Sequence, residues 1–164
     1  MQKTKASFQT AIERRQNIEQ ICLRLLARRE HSRRELLEKL ALRGFSQDEA
    51  SPVIDEIAAQ NWQNDERFAD AFVRQRLQNG YGPLRIRYEL QQRGISGVDI
   101  EALAAEAVGG WLESLLALYS RKYATEQTLS QAEWLKRSRF MQQRGFSGEM
   151  IKQLYTALKI KLSR

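Results

Sequence analysis

The chain has 164 residues, 42% of them hydrophobic, and carries a formal net charge of +7 at neutral pH. This length is sufficient for a packed core, and the hydrophobic content excludes a chain that is disordered throughout. The excess of Lys and Arg over Asp and Glu favours contact with a polyanion such as nucleic acid, or with an acidic protein surface.

Cysteine content and hydropathy indicate the compartment. Cys22 is the only cysteine, so the chain has no internal disulfide, and it lies among apolar residues, which predicts a core position. No apolar run approaches the length of a transmembrane helix, and residues 1–5 lack the apolar stretch of a signal peptide. We therefore expect a soluble, cytoplasmic protein.

A four-residue motif occurs three times, about 50 residues apart. It reads Arg-Gly-Phe-Ser at residues 43–46, Arg-Gly-Ile-Ser at 93–96 and Arg-Gly-Phe-Ser at 144–147. In each copy the glycine can end a helix in the left-handed conformation, the next residue can pack back on that helix, and serine can cap the following helix. The motif therefore predicts modules with two helices before it and one after.

The first module is predicted at residues 16–61, preceded by an N-terminal arm or helix extension at residues 1–15. Ser32 followed by Glu35 is typical of a capping box at the start of its second helix.

The start of the third helix in this module has two possible positions. Ser46 and Glu49 form a second capping-box pattern, which would place Pro52 inside the helix and predict a kink. Alternatively, Ser51 caps a shorter helix that begins at Pro52.

The second module is predicted at residues 62–109. Asn61 can take the left-handed conformation after the preceding helix, and Asn64 or Asp65 can cap the next one. Residues 80–83, Gly-Tyr-Gly-Pro, predict a tight turn in which both glycines are free to take positive φ and the proline opens a helix.

The third module is predicted at residues 110–164, with a polar loop at residues 125–128 and a capping box of Ser130 and Glu133. No segment has the alternating β-branched pattern of a strand. The predicted fold is all-α, with three tandem three-helix modules and about nine helices in an elongated, curved arrangement.

Charge is distributed unevenly over the predicted helices. Residues 47–61 and 97–109 contain acidic residues and no Lys or Arg, so the basic residues of the first two modules gather on their first two helices. The third helix of the third module differs, because Lys152, Gln153, Lys159 and Lys161 could contact DNA phosphates. In a DNA-reading helix-turn-helix protein the last helix enters the major groove, and acidic helices are poor readers. The pattern favours a basic surface that binds an extended partner without reading sequence.

No catalytic or metal-binding constellation is visible. His31 is the only histidine, is predicted to lie in an exposed basic turn, and has no second ligand beside it. Residues 80–83 lack the Lys-Ser/Thr that follows the glycines of a phosphate-binding loop. We therefore predict that the protein is not an enzyme and requires no cofactor or metal.

The central part of the sequence resembles the RecX family, regulators of the RecA recombinase. The resemblance rests on Asp-Glu-Arg-Phe-Ala at residues 65–69, the 80–83 turn, the basic and apolar residues of 85–90, and Gly-Ile at 94–95. The sequence departs from the family pattern at residues 61–64, where Asn-Trp-Gln-Asn replaces a more typical Gly-Tyr-Leu-Asp. The resemblance implies a protein that binds RecA and RecA–DNA filaments and restrains filament extension, ATP hydrolysis and strand exchange in recombination, DNA repair and the SOS response.

Candidate contacts with RecA or DNA are basic residues of the first two helices in each module and one turn tyrosine. They are Arg24, Arg28, Arg29, Arg33, Arg34, Arg67, Arg74, Arg76, Tyr81, Arg85, Arg87, Arg93, Lys136, Arg137, Arg139 and Arg144. Tyr81 could equally be a packing residue. The alternative functions are a general DNA-binding helical protein without RecA specificity, and a helical scaffold with no nucleic-acid role.

Overall fold

The computed structural model describes the backbone of residues 2–124 and 126–164, and the side chains of residues 10–124 and 126–164. Met1 and Thr125, which belong to the predicted arm and to the predicted polar loop, lie outside the described residues. Within the described part of the chain, no helix combines the length and apolar character needed to cross a membrane.

Nine helices account for most of the described residues, which confirms the all-α prediction. They are α1 (Gln2–Arg28), α2 (Arg33–Leu42), α3 (Gln47–Ala59), α4 (Asp65–Gln78), α5 (Pro83–Gln92), α6 (Ile100–Val108), α7 (Trp111–Lys122), α8 (Gln131–Gln143) and α9 (Gly148–Ala157). Each successive group of three helices corresponds to one predicted three-helix module. Residues 2–15 continue into residues 16–28 as the single helix α1.

The chain forms two compact units. Unit 1 consists of Met1–Ala69 with Arg93–Ile95, and unit 2 consists of Asp70–Gln92 with Ser96–Arg164. The core of unit 1 is built from side chains of α1, α2 and α3, including the fully buried Cys22, whose thiol pKa is raised to about 11 by burial. A second core in unit 2 joins α7, α8 and α9 around Leu115, Met141 and Leu154.

Capping bonds decide where α3 begins. Ser46 accepts the Glu49 N–H and the Glu49 carboxylate accepts the Ser46 N–H, so the complete box fixes the start after Ser46 and places Pro52 inside the helix. The same reciprocal pair joins Ser32 and Glu35 at α2.

Only half of the box predicted at α8 forms. Ser130 accepts the Glu133 N–H (3.1 Å), but the Glu133 carboxylate accepts from Arg137 Nε (2.9 Å). The serine therefore caps α8, while the carboxylate takes part in an ion pair.

The start of the second module follows the prediction for asparagine. Asn61 has φ of 61°, and Asn64 Oδ1 caps α4 by accepting the Arg67 N–H (2.9 Å). Asp65 has a different role, because its Oδ1 accepts the backbone N–H of Arg33 (2.9 Å) at the start of α2.

The repeated motif ends helices as predicted but does not cap all of those that follow. Its glycines have φ values of +86°, +73° and +99° at Gly44, Gly94 and Gly145, and the apolar residue after each one is buried. The prediction that Ser96 caps α6 is wrong. Gly97 has positive φ and delays the helix, so Asp99 caps it by accepting the Ala102 N–H (3.0 Å).

Two short strands contradict the prediction that the chain contains none. β1 (Thr128–Ser130) and β2 (Lys161–Ser163) pair in parallel, with Leu129 opposite Leu162. Three-residue strands are too short to carry an alternating pattern. Leu129 is buried in the core that also holds Ile160, so tertiary packing stabilises this pair.

The prediction that His31 is exposed is also wrong. Its side chain is 3% exposed, and its Nδ1 lies 3.1 Å from the Arg29 carbonyl oxygen. Burial lowers the pKa of the imidazole, which disfavours its charged form. His31 is therefore part of the packing between α1 and α2.

The turn at residues 80–83 contacts the repeated motif of the third module through backbone atoms. The Gly82 N–H donates to the Arg144 carbonyl (2.8 Å), and the Leu84 N–H donates to the Gly145 carbonyl (3.0 Å). A Cβ on Gly82 would lie 2.5 Å from the Gly145 carbonyl carbon. Gly80 has positive φ as predicted, but Gly82 is required for this close approach.

We predict that Gly82→Ala destabilises the protein by about 1–3 kcal/mol, because the new methyl group would push apart two hydrogen-bonded backbone segments. Urea denaturation measures this loss. Gly148→Ala is the matched control: a Cβ there meets no atom within 4 Å, so its stability should stay within about 1 kcal/mol of the wild type. Equal stability of Gly82→Ala and the wild type would contradict the close backbone contact between Gly82 and Gly145.

A second prediction concerns the pH dependence of the α3 cap. Arg14 Nε donates to the Glu49 carboxylate (2.6 Å), and this bond, with those from Ser46, lowers the pKa of Glu49 from 4.5 to about 2. The carboxylate's contribution to stability is present above about pH 4.5 and is lost as the pH falls through 2. In Arg14→Gln, carboxyl NMR should show Glu49 titrating closer to 4.5, whereas Arg15→Gln should leave it unchanged.

Candidate binding surface

Arginines predicted from unit 1 are mostly held by acidic residues of the same unit. Arg29 pairs with Glu35 (3.0 Å), Arg33 with Asp55 of α3 (2.6 Å), and Arg34 with Glu38 at the longer distance of 3.8 Å. Acidic residues of α2 and of the acidic third helix α3 therefore neutralise basic groups of their own module.

Arg67 and Arg93 also make intramolecular contacts. Arg67 Nε donates to Glu30 (2.5 Å), and its Nη2 donates to the carbonyls of Asn61 and Trp62. Arg93 pairs with Glu35 (3.2 Å). These guanidinium groups attach the start of α4 and the second copy of the motif to the first module.

Arg24 and Arg28 differ from the other predicted arginines of unit 1. Both are exposed on α1, and neither has a carboxylate partner among the residues whose side chains are described.

In unit 2, Tyr81 lies at the centre of three guanidinium groups. The Cζ atoms of Arg76, Arg85 and Arg144 are 5.2, 4.6 and 4.7 Å from its ring centroid. Tyr81 is half-buried, so it packs under these groups and keeps part of its ring accessible. We call Tyr81 with these three arginines the Tyr81 cluster.

The Tyr81 cluster remains positively charged after its internal pairing. Glu89 accepts from Arg76 (2.7 Å) and Arg85 (3.3 Å), while Arg144 donates to the Asn79 carbonyl (3.0 Å). Glu89 thus compensates two of the three guanidinium groups, and Arg144 has no carboxylate partner among the described side chains. Cation–π contact with a partly desolvated ring holds the planar groups in place, where they can stack on bases or bind phosphates.

Alternating cations and aromatic rings continue from the cluster into the third module. Arg144 also lies 5.5 Å from the Phe140 ring, and Lys122 Nζ lies 3.5 Å from the same ring. Exposed Lys122 has no carboxylate partner among the described side chains. A basic and aromatic surface therefore extends beyond the predicted residues.

Two further predicted arginines bind the acidic third helix of the second module. Arg74 pairs with Asp70 (2.7 Å) and Glu106 (3.1 Å), and Arg87 pairs with Glu101. As in the first module, acidic residues of the third helix compensate basic ones.

Three predicted residues of α8 have different environments. The side chain of Arg137 is 7% exposed and donates to the Tyr119 hydroxyl (2.8 Å) and to Glu133. Lys136 and Arg139 are exposed and have no carboxylate partner among the described side chains. We therefore leave Arg137 out of the proposed contact surface and retain its two neighbours.

The sequence contained an unused signal for one more basic residue. Arg43, Arg93 and Arg144 occupy the same position in the three copies of the motif, but the predicted contacts include only Arg93 and Arg144. Arg43 has no carboxylate partner among the described side chains. No sequence pattern indicates Lys122 and Phe140 as contact residues, because their proximity to the Tyr81 cluster arises from tertiary packing.

Comparison with protein-family models finds three matches along the chain. Residues 20–56 match the first three-helix domain of RecX, residues 64–103 the second, and residues 112–154 the third.

Curated relatives named regulatory protein RecX match most of the chain. The relative from Halorhodospira halophila is 39% identical over 130 residues, covering 79% of this chain and 81% of its own length. The relative from Xanthomonas oryzae pv. oryzae is 40% identical over 133 residues, covering 81% and 83%.

Solved structures support the fold at lower sequence identity. A crystal structure of regulatory protein RecX matches 95% of this chain and 78% of its own, with a TM-score of 0.70 and 18% identity. RecX from Lactobacillus salivarius matches 90% of this chain and 97% of its own, with a TM-score of 0.67 and 20% identity.

We predict that Arg137 supports the fold of unit 2. Arg137→Gln should destabilise the protein by about 1–3 kcal/mol in urea denaturation, because it removes the guanidinium group that donates a hydrogen bond to the buried Tyr119 hydroxyl. Lys136→Gln, one residue away and exposed, should change stability by less than about 0.5 kcal/mol. If Arg137→Gln leaves the free energy of unfolding unchanged, Arg137 is again a candidate contact residue.

Proposed function

Because this chain belongs to the RecX family, we propose that it binds RecA and RecA–DNA filaments and lowers RecA activity in recombination and DNA repair. The activities affected are filament extension, ATP hydrolysis and strand exchange. The observation that carries the proposal is the match to all three RecX domains in their order along the chain. The name of its relatives supports a regulatory role.

The proposed contact surface consists of exposed or half-buried basic groups that intramolecular carboxylates leave wholly or partly uncompensated. In unit 1 these are Arg24 and Arg28, and in unit 2 they are the Tyr81 cluster, Lys136 and Arg139. Such groups favour DNA phosphates or acidic patches of RecA. The other arginines predicted as contacts already form intramolecular ion pairs, which binding to a partner would have to break.

We propose that regulation occurs by differential binding, without chemistry performed by this chain. A protein that binds one state of the filament more tightly than another shifts assembly toward that state by the difference in binding free energy. The same shift follows if the bound protein blocks addition of the next RecA subunit. We propose the cytoplasm as its location, because RecA filaments form on chromosomal DNA there.

The proposal predicts inhibition of DNA-dependent ATP hydrolysis by RecA. Purified protein is added in increasing amounts to RecA on circular single-stranded DNA, and phosphate release is followed. Inhibition well below one protein per RecA monomer is expected, because a few bound molecules can stop a growing filament. No effect at molar excess would contradict the proposal.

A second ATPase distinguishes RecA regulation from general masking of DNA. A single-stranded-DNA-dependent helicase of unrelated fold, assayed on the same DNA, should keep its activity at the concentrations that inhibit RecA. Equal inhibition of both enzymes would identify a general DNA-binding protein instead.

A further inference from the structure

The arginines of unit 1 fall into two groups. Of its ten arginines, seven form an ion pair with Asp or Glu. Arg24, Arg28 and Arg43 have no carboxylate partner among the residues whose side chains are described. Ion pairing is general in this unit, so the grouping of its three exceptions is informative.

These three arginines line one groove. The groove has a volume of about 310 Å³, and its other lining residues are Asn17, Ile21 and Leu25. Positions 17, 21, 24 and 28 lie on one face of α1, with Arg24 and Arg28 four residues apart, a rise of about 6 Å along the helix axis. Among the described side chains, no acidic one lines the groove.

Arg43 reaches the groove from a second element. It follows the last residue of α2, and its Nη1 donates to the Lys39 carbonyl (3.0 Å), which restrains the side chain. Cationic groups from two helices therefore face the same space. Their mutual repulsion disfavours the fold unless an anion binds between them.

We propose that this groove binds the phosphate backbone of nucleic acid without regard to base sequence. A guanidinium group binds phosphate oxygens through paired N–H donors, and the Asn17 amide can add a neutral donor. Successive phosphates present negative charges in a row, with no cation between them. This regular charge suits three clustered arginines better than an acidic protein surface, where carboxylates alternate with lysines and arginines.

The site lies within unit 1, shares no residue with the Tyr81 cluster, and does not depend on RecA. It extends the regulatory proposal, because direct contact with DNA phosphates would let this chain hold a nucleoprotein filament through its nucleic acid. A failure of RecA inhibition would leave DNA binding by the groove intact, and the reverse also holds.

Fluorescence anisotropy of labelled DNA tests the proposal. The triple variant Arg24→Gln, Arg28→Gln, Arg43→Gln should bind an oligothymidylate at least about tenfold more weakly than the wild type at moderate salt. Its plot of log affinity against log salt concentration should be shallower by about 2, because three phosphate contacts are lost. A duplex of the same length, assayed in parallel, identifies whether single or double strands are the preferred source of phosphate.

The control removes three ion-paired arginines of the same unit. Arg15→Gln, Arg29→Gln, Arg34→Gln makes the same change in net charge at side chains of similar exposure, 49%, 52% and 55%. It should keep most of the affinity and salt dependence. Equal loss in both triple variants would overturn the proposal, because net charge alone would then explain binding.

Thermal unfolding separates loss of binding from loss of fold. The groove variant should unfold at the wild-type temperature or above it, since it relieves repulsion and removes no ion pair. Replacement of the same three arginines by lysine retains the charge but loses the paired donors, so its DNA affinity should lie between those of the wild type and the glutamine variant. Unchanged DNA affinity in the glutamine variant, or tighter binding of polyglutamate than of DNA by the wild type, would refute phosphate recognition.

Discussion

The close backbone contact between the 80–83 turn and the third copy of the motif determines the candidate surface of unit 2. Two backbone hydrogen bonds and two glycines with no room for a Cβ bring these segments together. This approach places Arg144 over the Tyr81 ring, and Phe140 and Lys122 follow from the packing of α7 and α8. A larger side chain at either glycine would separate aromatic and cationic groups that come from different modules.

Intramolecular pairing decides which basic residues are available to a partner. The acidic third helices α3 and α6 compensate arginines of their own modules, as in Arg33 with Asp55 and Arg87 with Glu101. Exposed ion pairs add little stability, but they reduce the attraction of those arginines for external anions. Among the uncompensated groups, Arg24, Arg28 and Arg43 line the groove beside α1 in unit 1, and Arg144 lies over the Tyr81 ring in unit 2. Net charge alone would have assigned all basic residues the same role.

Local chemistry made much of the fold predictable from the sequence. Glycine after a helix, a serine followed three residues later by glutamate, and Asn61 at a left-handed position each act over a few residues. The glycines and Asn61 have positive φ where expected, and the capping box is complete at α2 and α3 but only half formed at α8. The failures involve longer-range effects. His31 is buried by packing, Gly97 moves the cap of α6 to Asp99, and the short β1–β2 pair depends on the core of unit 2. For the candidate surface, residue type was enough to identify the arginines as candidates. Only the structure shows that Arg33 has a carboxylate partner whereas Arg24 and Arg28 have none among the described side chains, and that Arg137 is buried.

The central claim is that uncompensated arginines contact the partner, whereas exposed arginines already paired with carboxylates do not. Arginine-specific modification by phenylglyoxal, read by mass spectrometry with and without RecA on single-stranded DNA, tests it most directly. The account predicts that the filament protects Arg24, Arg28, Arg43 and Arg144 from modification and leaves the reactivity of Arg33 and Arg87 unchanged. Protection of the paired arginines alone, or no protection at any of them, would contradict it.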